Sequence, residues 1–200
     1  MAKESKQEAK SRGRPRSESA AAHEGIMDAV YAILQEKSVR DLTMEEVARR
    51  AGVGKPTLYK WWPSKAALVM DMFEQRVVGR LAVSDTGTAE QAIRTQVREL
   101  IRLFNGFFGK VAAEIIAEGQ SDPTILAEYC QRYMFKRRAF SAGVLEHARV
   151  RGELKRPIDP ELFIDMIYGP IYFRLLVRHL PLDEAFGDAL VDNLLAYAKG

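Results

Sequence analysis

The sequence predicts an all-α protein of about nine helices, a small N-terminal bundle followed by a larger helical body. Three observations predict it. Apolar residues recur at helical spacing along most of the chain, as Ile26, Val30, Ile33 and Leu34 do. Glycine and proline fall mostly at the junctions between these stretches. No stretch alternates apolar and polar residues in the manner of a strand.

The first helix runs from about Ser19 to Glu36 on the stripe just named. Thr43 then reads as an N-cap, with Glu46 three residues on to complete a capping box. The second helix, about Met44 to Ala51, stops at Gly52, and Gly52-Val53-Gly54 offers two residues free to take positive φ. Pro56 suits the first turn of a short third helix, about Lys55 to Trp61, which Pro63 ends. Ser64 caps a fourth, carrying Ala67, Leu68, Met72 and Phe73 inward. After a polar break at 84–88, longer helices are predicted at about 89–108, 110–118, 122–151, 159–179 and 183–199. Asp122, Asp159 and Asp183 are their plausible N-caps.

Composition narrows the function classes. The 200 residues are 47% hydrophobic and 28% charged, enough apolar material for a core without disulfides. The single cysteine, Cys130, excludes a disulfide framework and a Cys-based zinc cluster. No apolar run approaches membrane-spanning length, and no apolar segment follows the basic N-terminus. The expected location is a reducing cytoplasm, with no membrane partner. The net charge of +3 is uneven: residues 1–63 carry 12 Lys+Arg against 9 Asp+Glu, and the remainder balances at 18 each. Residues 1–16 alone hold six basic side chains against two acidic ones. A basic end on a neutral body points to a polyanion. His23, His147 and His179 sit on different helices without metal-like spacing, and no nucleophile elbow, zincin, P-loop or dinucleotide motif occurs. Neither enzyme chemistry nor a cofactor is indicated.

The stretch Leu42–Lys65 reads LTMEEVARRAGVGKPTLYKWWPSK. It is two helices joined by a glycine turn, with Val47, Ala48, Val53 and Leu58 closing the angle. This is a helix-turn-helix, whose second helix enters the major groove. From Thr43 to Leu68 the pattern T-x-x-x-V-A-x-x-A-G-V-x-K-x-T-L-Y, then an aromatic residue, P-S-K and a leucine, resembles the TetR family of bacterial transcriptional regulators. The resemblance covers about the first 80 residues strongly. A looser one to the C-terminal domain of a TetR subgroup lies in Asp159–Glu161, Tyr168–Tyr172 and Pro181–Asp183. It implies a homodimer that binds a palindromic double-stranded operator, as a rule to repress. It also implies release when a small, largely apolar molecule enters the C-terminal domain. Such a protein is cytoplasmic and joins the nucleoid when bound to DNA. The organisation implied is a disordered basic arm at 1–17, a DNA-binding domain at 18–83, and an effector-binding and dimerisation domain at 84–200.

Candidate DNA contacts follow. Lys55, Thr57 and Lys60 can reach base edges or phosphates, and Tyr59 matches the family's phosphate-binding tyrosine. Pro56 either touches a thymine methyl or only starts its helix. Thr43 caps its helix and can also donate to phosphate. Lys65 opposes the dipole at a helix N-terminus, so a phosphate contact accounts for it. Glu45 either points away from the DNA or reads a cytosine amino group. Trp62 belongs to the core, whereas Trp61 is equally suited to core or DNA backbone. Arg12, Arg14 and Arg16 surround a Gly-Arg-Pro unit resembling an AT-hook, a minor-groove reader.

In the body, Phe104, Phe108, Ile116, Tyr129, Tyr133 and Tyr168 are the candidate pocket lining. Gly169-Pro170 should kink its helix. The last two helices carry broad apolar surface, and Ile164, Ile167, Ile171, Leu175, Phe186, Leu190, Leu194 and Tyr197 are the candidate four-helix dimer interface. A hinge near Arg80–Ser84 would transmit ligand binding to the heads. The competing readings are a ligand-independent architectural DNA-binding dimer that uses the basic arm, and a small-molecule-binding or catalytic domain with a vestigial head. Cys130 reads as a small core residue.

Overall fold

The computed structural model describes residues 16–77 and 87–199, with side chains for 20–76 and 87–198. Arg12, Arg14, the hinge at 80–84 and the boundary at 83/84 lie outside the described residues. The fold is all-helical: α1 (Arg16–Glu36), α2 (Met44–Arg50), α3 (Lys55–Trp61), α4 (Lys65–Val77), α5 (Ala89–Phe104), α6 (Phe107–Gly119), α7 (Pro123–Tyr129), α8 (Phe135–Val150), α9 (Pro160–Val177) and α10 (Glu184–Lys199). One π-helical turn, Cys130–Met134, joins α7 to α8. They form a single rod, so the described residues contain nine rods.

The predicted caps largely form. Asp122 accepts from Thr124 N, Asp159 from Glu161 N, Asp183 from Phe186 N, and Ser64 from Ala67 N. The box at Thr43 is half made: Thr43 Oγ1 accepts from Glu46 N at 3.2 Å. The Glu46 carboxylate is occupied by Lys37 and Arg50 instead. A complete capping box stands at Thr88 and Gln91, opening α5. Four boundaries differ from expectation. α1 starts at Arg16, three residues early, so the arm does not extend to residue 17. The α5–α6 break falls at Asn105-Gly106, before Gly109. Gly109 is buried within α6, where a Cβ would fall on the Phe104 carbonyl, so this glycine serves a close backbone approach. α9 runs on through Pro170 and ends at Val177, with Arg178 left-handed at φ 56°. The long helix predicted at 122–151 is interrupted by the π turn.

Head and body share one hydrophobic core, which runs from Ile26 and Val30 on α1 through Phe73 on α4 to Val111, Tyr133 and Ile171. α4 is the bridge, packing on α1 on one side and on α7 on the other. α6 also grips the head. Lys110 Nζ donates to the carbonyls of Leu34 and Lys37, each at 3.1 Å, and Glu114 Oε2 accepts from Val39 N at 2.8 Å. The end of α1 is therefore capped by the body.

Candidate nucleic-acid interface and effector cavity

The turn between α2 and α3 is a full Schellman motif. Gly52 takes φ +65°. Val53 N donates to Ala48 O at 3.0 Å and Gly52 N to Arg49 O at 3.3 Å. Of the two glycines, only Gly52 is left-handed; Gly54, at φ −72°, is the N-cap of α3. Val47, Ala48 and Leu58 are buried in the angle between the helices and Val53 is half-buried.

This packing turns one face of α3 outward. Lys55, Pro56, Tyr59 and Lys60 are exposed, Tyr59 to 46%, and Thr57 is half-buried beside them. The Lys55 ammonium pairs with the Glu45 carboxylate at 2.8 Å, joining α2 to α3 across the turn. Lys55 holds that carboxyl below its usual range. Glu45 thus faces the same surface as Lys55 in the free protein. Arg49, one turn farther along α2 and well exposed, adds a cation that the sequence reading did not nominate.

Lys65 is used differently from expectation, while Thr43 keeps its expected capping role and Trp61 takes a half-buried place. Lys65 turns inward: its ammonium donates to Val39 O at 3.1 Å and Arg40 O at 3.0 Å, satisfying carbonyls of the α1–α2 connection. Its unfavourable place on the α4 dipole is thereby accounted for without phosphate. Thr43 spends its hydroxyl on the cap. Trp61 is half-buried, its ring 5.6 Å from that of Trp62 and 5.8 Å from that of His23. Trp62 is buried and donates Nε1–H to Asp71 at 2.8 Å. Arg16 opens α1.

In the body, three tyrosines line a small cavity and a fourth, Tyr129, bonds to one of them. Tyr129 and Tyr172 share a hydroxyl hydrogen bond of 2.8 Å. Tyr168 donates to Gln96 Oε1 at 3.0 Å, and Ser141 donates to the same atom at 3.1 Å. The cavity, about 30 Å³, is lined by Tyr133, Tyr168 and Tyr172 with Leu100, Met134, Arg137 and Arg138. Burial pushes the Tyr133 phenol up to about 12 and raises Tyr129, Tyr168 and Tyr172 as well.

Of the six nominated lining residues, Tyr133 and Tyr168 border this cavity and four do not. Phe108 and Tyr129 are buried in the core against Phe73, and Ile116 packs on that core. Phe104 is edge-on to Tyr172 at 5.2 Å and borders a separate surface recess. Tyr172, Arg137 and Gln96 went unnominated. The legible signal was a polar residue in an apolar stripe. Gln96 interrupts Ala92, Ile93, Val97 and Leu100, and Arg137 shares its face with Tyr133, Ser141 and Val144.

The nominated dimer residues need correction. Ile164, Ile167, Ile171, Leu175 and Leu194 are buried within the monomer. Leu190 is half-buried, and the Phe186 ring lies under the Arg174 guanidinium at 3.5 Å. Only Tyr197 is well exposed, with Arg156 5.0 Å from its ring centre. The physical reason is that α9 is apolar on both sides. The stripe Ile164–Leu175 meets the core, and the opposite stripe, Leu162, Met166, Phe173 and Leu176, lies open.

The comparisons agree with this architecture. Residues 26–72 match the family model for bacterial regulatory proteins of the tetR family. Residues 83–194 match the tetracyclin repressor-like C-terminal domain. The chain is 41% identical over 182 residues to the HTH-type transcriptional regulator YdeS of Bacillus subtilis, covering 91% of each. It superposes on the TetR family transcription regulator SCO0332 with a TM-score of 0.75 at 38% identity, covering 88% of this chain and 97% of that one. It shares the fold of FadR from Bacillus subtilis, solved in complex with stearoyl-CoA, with a TM-score of 0.62 at 18% identity over 87% of this chain and 98% of that one. No helix among the described residues is long and apolar enough to cross a membrane. With both domain models matched across its length, this chain belongs to the TetR family of HTH-type transcriptional regulators.

Proposed function

We propose that the protein is a repressor that binds a palindromic operator as a two-fold dimer and releases it when a small molecule enters the body. The observation that carries this reading is the continuous path from cavity to head. Tyr133 lines the cavity and meets Phe73 of α4 edge-on. Three residues separate α3 from α4, and the first residue of α4, Lys65, holds the α1–α2 connection. A shift of Tyr133 therefore moves the helix that carries α3. FadR, which has this fold, was solved in complex with stearoyl-CoA; the corresponding body here has its own small cavity, lined by tyrosines, arginines and apolar side chains.

Dimerisation is assigned to the outward stripe of α9. Leu162, Met166, Phe173 and Leu176 form one apolar row, continued by the exposed Val177 and Leu180. Self-pairing of that row about a two-fold axis buries it and sets two α3 helices facing adjacent major grooves, about 34–36 Å apart or a multiple of that. The ligand must prefer the released conformer, by roughly 10⁴-fold to invert a 99:1 population.

Selection of genomic fragments by the purified protein tests the reading. The expected product is an inverted repeat, bound by a dimer. Recovery of unrelated sequences with affinity set only by salt would favour the architectural alternative.

A further inference from the structure

Among the described residues, three buried polar atoms have no hydrogen-bonding partner: Gln96 Nε2, Tyr133 Oη and Arg137 Nη2. They cluster at the cavity. Tyr133 and Arg137 line it, and Gln96 stands behind Tyr168, whose hydroxyl it accepts. Gln96 and Tyr133 are each only 2% exposed. Arg137 is half-buried, with Nη2 its sequestered nitrogen, and leaving such atoms unmatched is costly. Its neighbour shows the ordinary solution: Arg138 is paired with both Glu161 and Asp165. No carboxylate among the described residues pairs with Arg137.

The orphaned atoms share one chemistry. A guanidinium and an amide nitrogen can only donate, and a phenol can do so. The group that satisfies the two at the cavity wall, Tyr133 Oη and Arg137 Nη2, is an acceptor, and beside a cation with no carboxylate partner among the described residues it is an anion. Around them lie apolar surfaces, Leu100, Met134 and the Tyr172 ring. The π turn supplies both Tyr133 and Met134, and such turns inside helices are frequent at functional sites. The cavity, about 30 Å³, has room for a head group of a few atoms. Met134, unbranched and half-buried, is the wall that yields to a larger body.

We infer that this cavity is the head-group site for an organic carboxylate, whose charge meets Arg137, whose oxygens accept from Tyr133, and whose apolar body lies against Leu100, Met134 and Tyr172. The inference rests on the reading of the body as an effector domain and names the class of effector.

Calorimetric titration of the full chain with benzoate, 4-phenylbutyrate and decanoate, each against its primary amide, tests it. At least one acid should bind with Kd well below about 1 mM, and its amide about tenfold or more weaker. Arg137→Gln should lose about tenfold or more of the acid's affinity and leave the amide unaffected. Tyr133→Phe, which preserves shape, should cost several-fold and serves if Arg137→Gln does not fold. Failure of all three acids, equal binding of acid and amide, or undiminished binding by a folded Arg137→Gln overturns the inference. Repeating the titration with operator bound separates the two readings. An acid that binds without loosening the operator upholds the carboxylate site and sinks induction. Release by the amides and not the acids upholds induction and sinks the carboxylate site.

Discussion

The ring of Phe73 stands at 90° to that of Tyr133, with centroids 5.2 Å apart. One belongs to the last helix of the head and the other to the cavity wall in the body. Phe73 also meets Phe108 and Tyr129 edge-on, at 6.0 and 6.1 Å. One α4 side chain thus packs against three rings of the body.

Phe73→Leu keeps the site apolar while removing the three ring contacts. It should destabilise the fold by about 1–2 kcal/mol in urea denaturation. Operator affinity without ligand should stay within a few-fold of wild type. The ratio of affinities with and without ligand should shrink, because the perpendicular contact no longer carries motion of Tyr133. An unchanged ratio, measured by fluorescence anisotropy, would remove Phe73 from the path.

The two structural glycines should fail in different ways. Gly52→Ala places a Cβ in left-handed backbone with open space around it, and should cost about 1–2 kcal/mol without preventing folding. Gly109→Ala drives a Cβ into the Phe104 backbone and should cost more than Gly52→Ala, because α5 and α6 must separate. Paired thermal melts of the two variants decide the order.

Four of the seven tyrosines should titrate late in alkali. Tyr129, Tyr133, Tyr168 and Tyr172 are raised chiefly by burial, Tyr133 to about 12. An unfolded tyrosine ionises near 10. The sign follows from linkage: stability from keeping these phenols neutral is fully present below about pH 10 and falls as pH rises toward the folded values. Tyrosinate absorbance should show a delayed phase that coincides with loss of helical circular dichroism. Ionisation of all seven in one step near 10, with the fold intact, would contradict it.

Phe173→Glu introduces a charge in the middle of the open stripe of α9. Sedimentation should show a monomer with unchanged helix content, and operator binding should lose its cooperativity. The inward-facing Ile171→Glu should instead unfold the body, since Ile171 is fully buried. If both variants remain dimeric, the interface lies elsewhere.

Much of this fold is legible in the sequence because its signals are local. Asp122, Asp159 and Ser64 announce helix starts, and Gly52 announces a turn, through hydrogen bonds within a few residues. The exposed face of α3 is legible for the same reason. What was not legible depends on distant packing. Both stripes of α9 are apolar, so sequence alone could not tell that Ile164 and Ile171 face the monomer core while Leu162 and Phe173 face out. Lys65 reads as a stray cation until the carbonyls of Val39 and Arg40, about 25 residues away, are placed beside it. The π turn at Cys130–Met134 leaves no local mark, and it decides which tyrosines reach the cavity.

The central claim is that the outward face of α3, duplicated by a two-fold axis, is what holds DNA. Its most direct test is the affinity of the wild-type protein and the Tyr59→Ala/Lys60→Ala variant for the operator recovered by selection, measured across a range of salt. The account predicts that the wild type protects two symmetric half-sites. It predicts that the variant, folded and dimeric, binds about tenfold or more weakly with a shallower salt slope. A variant that binds as tightly, with the same slope, would contradict it.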